Sequence, residues 1–255
     1  MSNILTICRK ELNSYFRSPV AYGVMGFFAL ITGYFFYAAV AFFLQRSLQA
    51  AQMGQSQPMN VDEWVVRNVL SNISVVCLFL IPMMTMRIFA EEKRTGTIEL
   101  LVTSPLRDSE IIIGKWLGAM GLYAALLGLS AVNMISLYAY GTPDWRPLVV
   151  GYLGLLLQGG CLLAIGTFIS STTKNQIVAG VAAFCVCLLL WVLDWVTAFE
   201  ASTFNQVISY ISVVSHFESF AKGVIDMKDV VYYVSMIVLG LFLTARSMDS
   251  MRWRA

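Results

Sequence analysis

Few residues in this sequence could make or break covalent bonds, and their spacing argues against it. His216 is the one histidine, with no Asp, Glu or Cys at ligand spacing, so neither a metal centre nor a nucleophile–base pair is expected there. The five cysteines form no Cys-x-x-Cys pair, and Cys77, Cys161, Cys185 and Cys187 fall in apolar stretches where a thiol serves as a small packing group. The phosphate cradle Gly-x-x-x-x-Gly-Lys-Ser/Thr is missing. Its nearest approach, Gly114-Lys115, has Ser109 where the first glycine belongs and Trp116 where the hydroxyl belongs. No catalytic residue, metal or cofactor is therefore expected in this chain.

The stretch whose residue types do suggest a task is Arg87–Lys115, which packs ten charges, five of each sign, into 29 residues. It reads as helix, turn, short helix, turn, helix. A helix is expected to continue through Ile88–Arg94, with Lys93 and Arg94 where the helix dipole favours cations, and to stop at Gly96. Thr97 can cap a short helix Ile98–Thr103 with Glu99 in its first turn, and Ser104-Pro105 ends it. Asp108 or Ser109 can then cap a third helix with Glu110 in its first turn. Ile98, Leu100, Leu101, Val102 and Leu106 are five branched aliphatics in nine residues, more than a connector facing only water requires. A short amphipathic helix of this kind suits contact with a soluble protein.

What positions this loop follows from charge distribution. The chain has 255 residues, 58% hydrophobic and 13% charged, against about 25% charged in an ordinary soluble domain. A net charge of +2 gives no reason to expect a nucleic-acid partner. Six windows carry no Asp, Glu, Lys or Arg: Ser18–Gln45, Asn68–Met86, Trp116–Pro143, Pro147–Thr173, Asn175–Leu193 and Val230–Ala245. About 20 apolar helical residues cross a hydrocarbon core of about 30 Å, so the first five windows suffice by length. The sixth, at 16 residues, needs Arg246 to snorkel or the membrane to thin.

The expected architecture is all-α: one polytopic membrane domain over residues 1–255. Its spans lie near 18–45, 68–86, 116–140, 148–173, 175–193 and 230–245, with a loop at 87–115 and an external segment at 194–229. On alternate sides of the spans, Lys and Arg divide 12 to 5, which places both termini in the cytoplasm. All six Trp fall near span boundaries, Trp116 and Trp253 inside and the others outside. Residues 1–17 form an amphipathic helix. Ile4, Leu5, Ile7, Cys8, Leu12, Tyr15 and Phe16 take one side and Arg9, Lys10, Asn13, Ser14 and Arg17 the other, as expected of a helix in the cytoplasmic interface. No cleavable leader is expected, so the first span stays. The external segment interleaves aliphatic and aromatic residues with Ser, Asn and Gln, and a pair of short helices over a dimer seam is expected there. Asn133, Gln158, Gly114-x-x-x-Gly118 and the Gly151–Gly166 series read first as helix packing.

The run Glu91-Glu92-Lys93-Arg94-Thr95-Gly96-Thr97-Ile98-Glu99-Leu100-Leu101, followed by Ser104-Pro105, resembles the cytoplasmic-loop signature of type-2 ABC transporter permeases, and the whole plan of spans fits. Within that family, Arg9-Lys10-Glu11-Leu12 and Ser215-His216-Phe217-Glu218-Ser219-Phe220 are similar to gliding-motility-associated permeases. The resemblance implies a coupling helix near Thr97–Val102 that seats in a separate ATPase subunit. Glu91, Glu92, Lys93, Arg94, Gly96, Thr97, Glu99 and Leu101 would be contact residues, with Arg9, Lys10 and Glu11 as a secondary set. It implies ATP and Mg in the partner, a second permease half that is a copy or a related chain, an accessory membrane subunit as a further option, membrane lipid around the spans, and the bacterial inner membrane. The direction implied is export. The competing readings are a secondary carrier, which would keep ionisable groups near mid-membrane where this chain has none, and a membrane scaffold without transport.

Overall fold

Inside a bilayer no water can satisfy backbone N–H and C=O groups, so each charge-free stretch must close its hydrogen bonds within itself. The computed structural model describes residues 2–53, 61–98, 106–138, 143–197 and 210–252. Among them the order is α1 (Ser2–Arg17), α2 (Pro19–Gln52), α3 (Arg67–Thr85), α4 (Ala90–Thr95), α5 (Asp108–Leu137), α6 (Trp145–Thr172), α7 (Gln176–Thr197), α8 (Val213–Ala221) and α9 (Met227–Arg252), with one π-helical turn, Asp62–Val66, leading into α3. No strand occurs among the described residues. Six helical stretches are long and apolar enough to cross a membrane: Ala21–Gln52, Asp62–Thr95, Asp108–Leu137, Trp145–Thr172, Gln176–Leu193 and Met227–Ser250. The molecule is an all-α polytopic membrane protein.

Sequence charge understates the last span. Its charge-free window is short, but the helix continues through Lys228, Asp229, Arg246 and Asp249, and Met227–Ser250 reaches about 36 Å at about 1.5 Å per residue.

α6 is the central post, in contact with α3, α5, α7, α8 and α9. Its glycines let neighbours approach: Gly151 faces Leu70, Gly159 faces Tyr123 and Gly166 faces Thr85, while a Cβ on Gly154 would stand 2.5 Å from the Cβ of Phe220. Polar groups inside the bundle bond across helices, as Gln158 does with Ser74 (Nε2 to Oγ, 2.7 Å) and as the Tyr123 hydroxyl does by donating to the Leu155 carbonyl (2.9 Å). Trp116, placed at the inner boundary by its sequence position, instead donates its indole N–H to the Gly160 carbonyl at 3.1 Å. Packing against α6, not the headgroup layer, satisfies that N–H.

At the end of the bundle away from α1, α8 buries Val213, His216, Phe217, Phe220 and Ala221, chiefly against α6, with α7, α3 and α9 around it. Gly223, at φ +79°, turns the chain against Pro147, and Arg67 reaches Glu218 at 2.8 Å. α8 thus turns that apolar face into its own chain. The remainder of the expected pair of short helices, residues 198–209, lies outside the described residues.

Candidate functional site: the junction of α1, α4 and α5

The amphipathic sequence of α1 folds largely with the polarity of its wheel, since Arg9, Lys10, Asn13, Ser14 and Arg17 are exposed while Ile4, Ile7, Cys8, Leu12, Tyr15 and Phe16 are partly covered; Leu5, expected on the apolar side, is exposed. Its cover is protein. α1 runs in the same direction as the first turns of α5, with Ile7 over Gly114, Glu11 over Gly118 and Leu12 over Gly121. A Cβ at Gly118 would stand 2.6 Å from the Cβ of Glu11, so the small-residue stripe of α5 forms the seat of α1. Asn3 closes the start of that contact by donating to the Glu110 carboxylate at 3.3 Å. Glu110 also accepts the Arg107 N–H at 3.1 Å, which makes Arg107 the helix cap rather than Asp108 or Ser109. The Arg107 N–H first, and then the Asn3 amide, hold the Glu110 carboxyl below its ordinary value.

The second span does not run unbroken into the loop. Helical geometry lapses between Thr85 and Ala90, where Phe89 has φ −122°, after Pro82 inside α3. The expectation of a continuous helix is thereby corrected, and the physical reason is side-chain capping from α6. The Ser170 hydroxyl accepts the N–H of Phe89 (3.1 Å) and of Ala90 (3.2 Å) and donates to the Met86 carbonyl (3.3 Å). These bonds replace intrahelical ones, so α4 can restart at an angle of its own. Gly96 ends α4 in the left-handed region at φ +75°, as glycine permits.

The break leaves the Ile88 carbonyl free, and Lys115 uses it. This lysine is 3% exposed, and its Nζ donates to Ile88 O (3.1 Å), Glu11 Oε1 (3.0 Å) and Glu92 Oε1 (2.7 Å). An ammonium has three protons, and all three are engaged. The Phe89 ring lies 5.4 Å from the same nitrogen. One cation of α5 therefore ties together α1, the end of the second span and α4. On the far side of α4, Lys93 donates to the Ser171 carbonyl at the end of α6, and Ser247 of α9 donates to the same oxygen at 3.1 Å. Burial, and then Lys174, push the Lys93 ammonium below its ordinary value.

Of the residues singled out by sequence, Glu92 and Glu11 point inward to Lys115 with about one sixth of their side chains exposed, 16% and 17%. Lys93 is also turned toward the bundle, while Glu91, Arg94, Gly96, Thr97, Arg9 and Lys10 are exposed. Thr97 shares a 3.0 Å hydroxyl contact with Thr95. Glu99, Leu101 and most of the expected Ile98–Thr103 helix lie outside the described residues. Sequence reasoning missed Lys115 as a junction, since nothing local to it names Glu11 or Ile88 as partners. It also missed that His216 has an acid: His216 Nδ1 meets Asp229 Oδ1 at 2.7 Å, its Nε2 meets the Tyr210 carbonyl at 2.9 Å, and Tyr232 stacks on the ring at 3.9 Å. The pair is separated by 13 residues, too far for a spacing rule to connect, and it pins α8 to α9.

Residues 5–249 match the sequence profile of a family described as ABC-2 family transporter protein. A protein of Escherichia coli strain K12 named "Probable multidrug ABC transporter permease YbhR" is 28% identical over 186 residues, covering 67% of this chain and 50% of that protein, and its counterpart in strain O157:H7 matches equally. The chain spans about half the length of these curated relatives.

Proposed function

This chain belongs to the ABC-2 family of transporter proteins, and from that premise we propose that it is the membrane half of an ATP-driven exporter, moved by a separate ATPase that docks on the cytoplasmic junction. As an ABC transporter permease subunit it is a multi-pass membrane protein. The observation that carries the ATPase proposal is the Lys115 cluster. Because Glu11, Glu92 and Ile88 are held on one buried ammonium, a push on the loop beyond Gly96 is delivered at once to α1, to the second span and to α5. A solvated connector has no use for such a brace.

The division of labour follows from exposure. Glu91, Arg94, Gly96 and Thr97 face outward and form the described edge of the docking surface, together with Arg9 and Lys10, whereas Glu92, Lys93 and Glu11 act behind it by holding α4 and α1 in place. Glu99 and Leu101 complete the surface on the strength of the loop motif alone. ATP and Mg belong to the partner, a second permease half completes the pathway, and the inner membrane with both termini cytoplasmic is the setting that the 12-to-5 Lys/Arg asymmetry supports. Spans without ionisable groups at their centres favour an amphiphilic cargo, in keeping with the multidrug name of the relative. The finer likeness to gliding-motility permeases rests on Arg9–Leu12 and Ser215–Phe220, stretches whose roles here are packing and pairing, and it adds no motility to the proposal.

The test is co-expression with candidate ABC ATPase subunits from the same genome. Reversing Glu91 and Arg94 together with Leu101→Asp should abolish capture of the ATPase while leaving the permease folded, and unchanged recovery would remove the docking assignment. The permease purified alone should hydrolyse no ATP.

A further inference from the structure

Beneath α1, and bounded by α2, the end of α3 and the start of α5, lies a cavity of about 320 Å³. Its floor is apolar, with Ala21 and Val24 of α2, three methionines (Met83, Met84 and Met86), and Leu122. Its rim carries Lys10, Ser14, Ser18, Arg87 and Glu91, and Lys115, Glu11 and Glu92 form the inner wall. The wall's charges are already paired, with one exception: Glu92 Oε2 is buried and has no hydrogen-bond partner among the described residues. Oε1 takes the bond from Lys115, and no proton of that ammonium is left for the second oxygen. An orphaned buried carboxylate oxygen is costly, and no described residue supplies its donor.

The chemistry of that donor is set by its neighbours. At one end is an acceptor that wants a cationic N–H. On the rim two exposed cations, Lys10 and Arg87, and the hydroxyls of Ser14 and Ser18 suit a phosphate. Methionines adapt to irregular apolar bodies, and Met83, 52% exposed, extends the floor onto the outer apolar face of α3. The volume lies at the lower end of the range for small-molecule sites, about 300–1,000 Å³, which suits a head group whose chains stay outside. The site also lies at the ends of the spans that the Lys/Arg asymmetry assigns to the cytoplasmic headgroups.

We propose that this cavity binds the head group of an aminophospholipid, phosphatidylethanolamine in type, with its ammonium on Glu92 Oε2, its phosphate between Lys10 and Arg87, and its chains along Met83. Lipid in the cavity fills the space under α1 and joins the Lys115 cluster to the inner leaflet. The proposal depends on the membrane setting and not on ATPase docking; Lys10 and Glu91 border both surfaces, so lipid binding is read on the chain without an ATPase.

The test is a native mass-spectrometric titration of the full chain in detergent with phosphatidylethanolamine, phosphatidylglycerol and phosphatidylcholine of identical chains. Phosphatidylethanolamine should bind about tenfold or more tightly than phosphatidylcholine, whose trimethylated nitrogen has no proton to give, and more tightly than phosphatidylglycerol. Equal binding of phosphatidylcholine, or stronger binding of phosphatidylglycerol, would overturn the assignment. Soluble glycerophosphoethanolamine binding as well as the lipid would assign the site to a free solute and overturn the lipid source. Glu92→Gln keeps an acceptor for Lys115 but sets an amide N–H where the ammonium belongs, and should lose the preference for ethanolamine. If that variant does not fold, Lys10→Ala with Arg87→Ala, which leaves the buried cluster intact, should weaken binding of every phospholipid. Unchanged binding in that variant would count against the site.

Discussion

Replacing Lys115 with methionine keeps the length and volume of the side chain and removes one charge and three donors. In the native protein those donors serve Glu11, Glu92 and Ile88, all at 2.7–3.1 Å from an atom in a residue 3% exposed. Without the ammonium, two carboxylates converge on an apolar site, and a backbone carbonyl loses the partner that the α3–α4 break made available. Removing one partner of a buried ion cluster costs about 3–5 kcal/mol, and the 16–17% exposure left to the glutamates favours the lower figure, about 3 kcal/mol. Unfolding in mixed detergent micelles with increasing SDS, followed by helical circular dichroism, measures this directly. The cause is separable too. In Glu11→Gln with Lys115→Met and Glu92→Gln, no charge is orphaned, and more than half of the lost stability should return even though the ion pairs are gone. A loss under about 1 kcal/mol for the single variant, the range of an exposed pair, would refute the reasoning, as would a triple variant no more stable than the single one.

Other outcomes follow from the same geometry. Gly118→Ala forces a Cβ toward Glu11 and should cost about 1–3 kcal/mol while exposing α1 to limited proteolysis; Gly128→Ala, with nothing within 4 Å, should be neutral or stabilising in the same assay. Ser170→Ala removes the acceptor for two backbone N–H groups and should destabilise by about 1–3 kcal/mol, with faster amide exchange confined to Phe89 and Ala90 at the head of α4. Asp229→Ala strands His216 Nδ1 in a buried site, and hydrogen exchange should rise across Val213–Ala221 more than elsewhere. The Glu110 carboxyl is held below its ordinary value in the folded protein, so its contribution is present above the ordinary carboxylate pKa and fades as pH falls through the lowered folded value. Contact of α1 with the start of α5, read by a fluorophore pair across the exposed positions Leu5 and Ser109, should loosen in that acid window, and Glu110→Gln should flatten the dependence.

Much of this protein was legible without coordinates because the signals concerned are local. The cost of placing a charge in hydrocarbon is borne by each residue separately, so the charge-free windows locate six spans and the leftover charges locate the loop. The two faces of α1 follow from helical periodicity, and the stop at Gly96 from a backbone conformation that glycine adopts without strain. Folding decided which groups meet. Lys115 finds Glu92 across 23 residues and Glu11 across 104, His216 finds Asp229, and Ser170 finds the backbone of Phe89 across 81. The small-residue stripe of α5 announces close packing, yet nothing local to it says that its mate is α1 rather than another span. Hydropathy is a sum over residues and survives any rearrangement of the helices. An ion pair, a cap or a cavity is a property of distances between elements, and those exist only once the helices have packed.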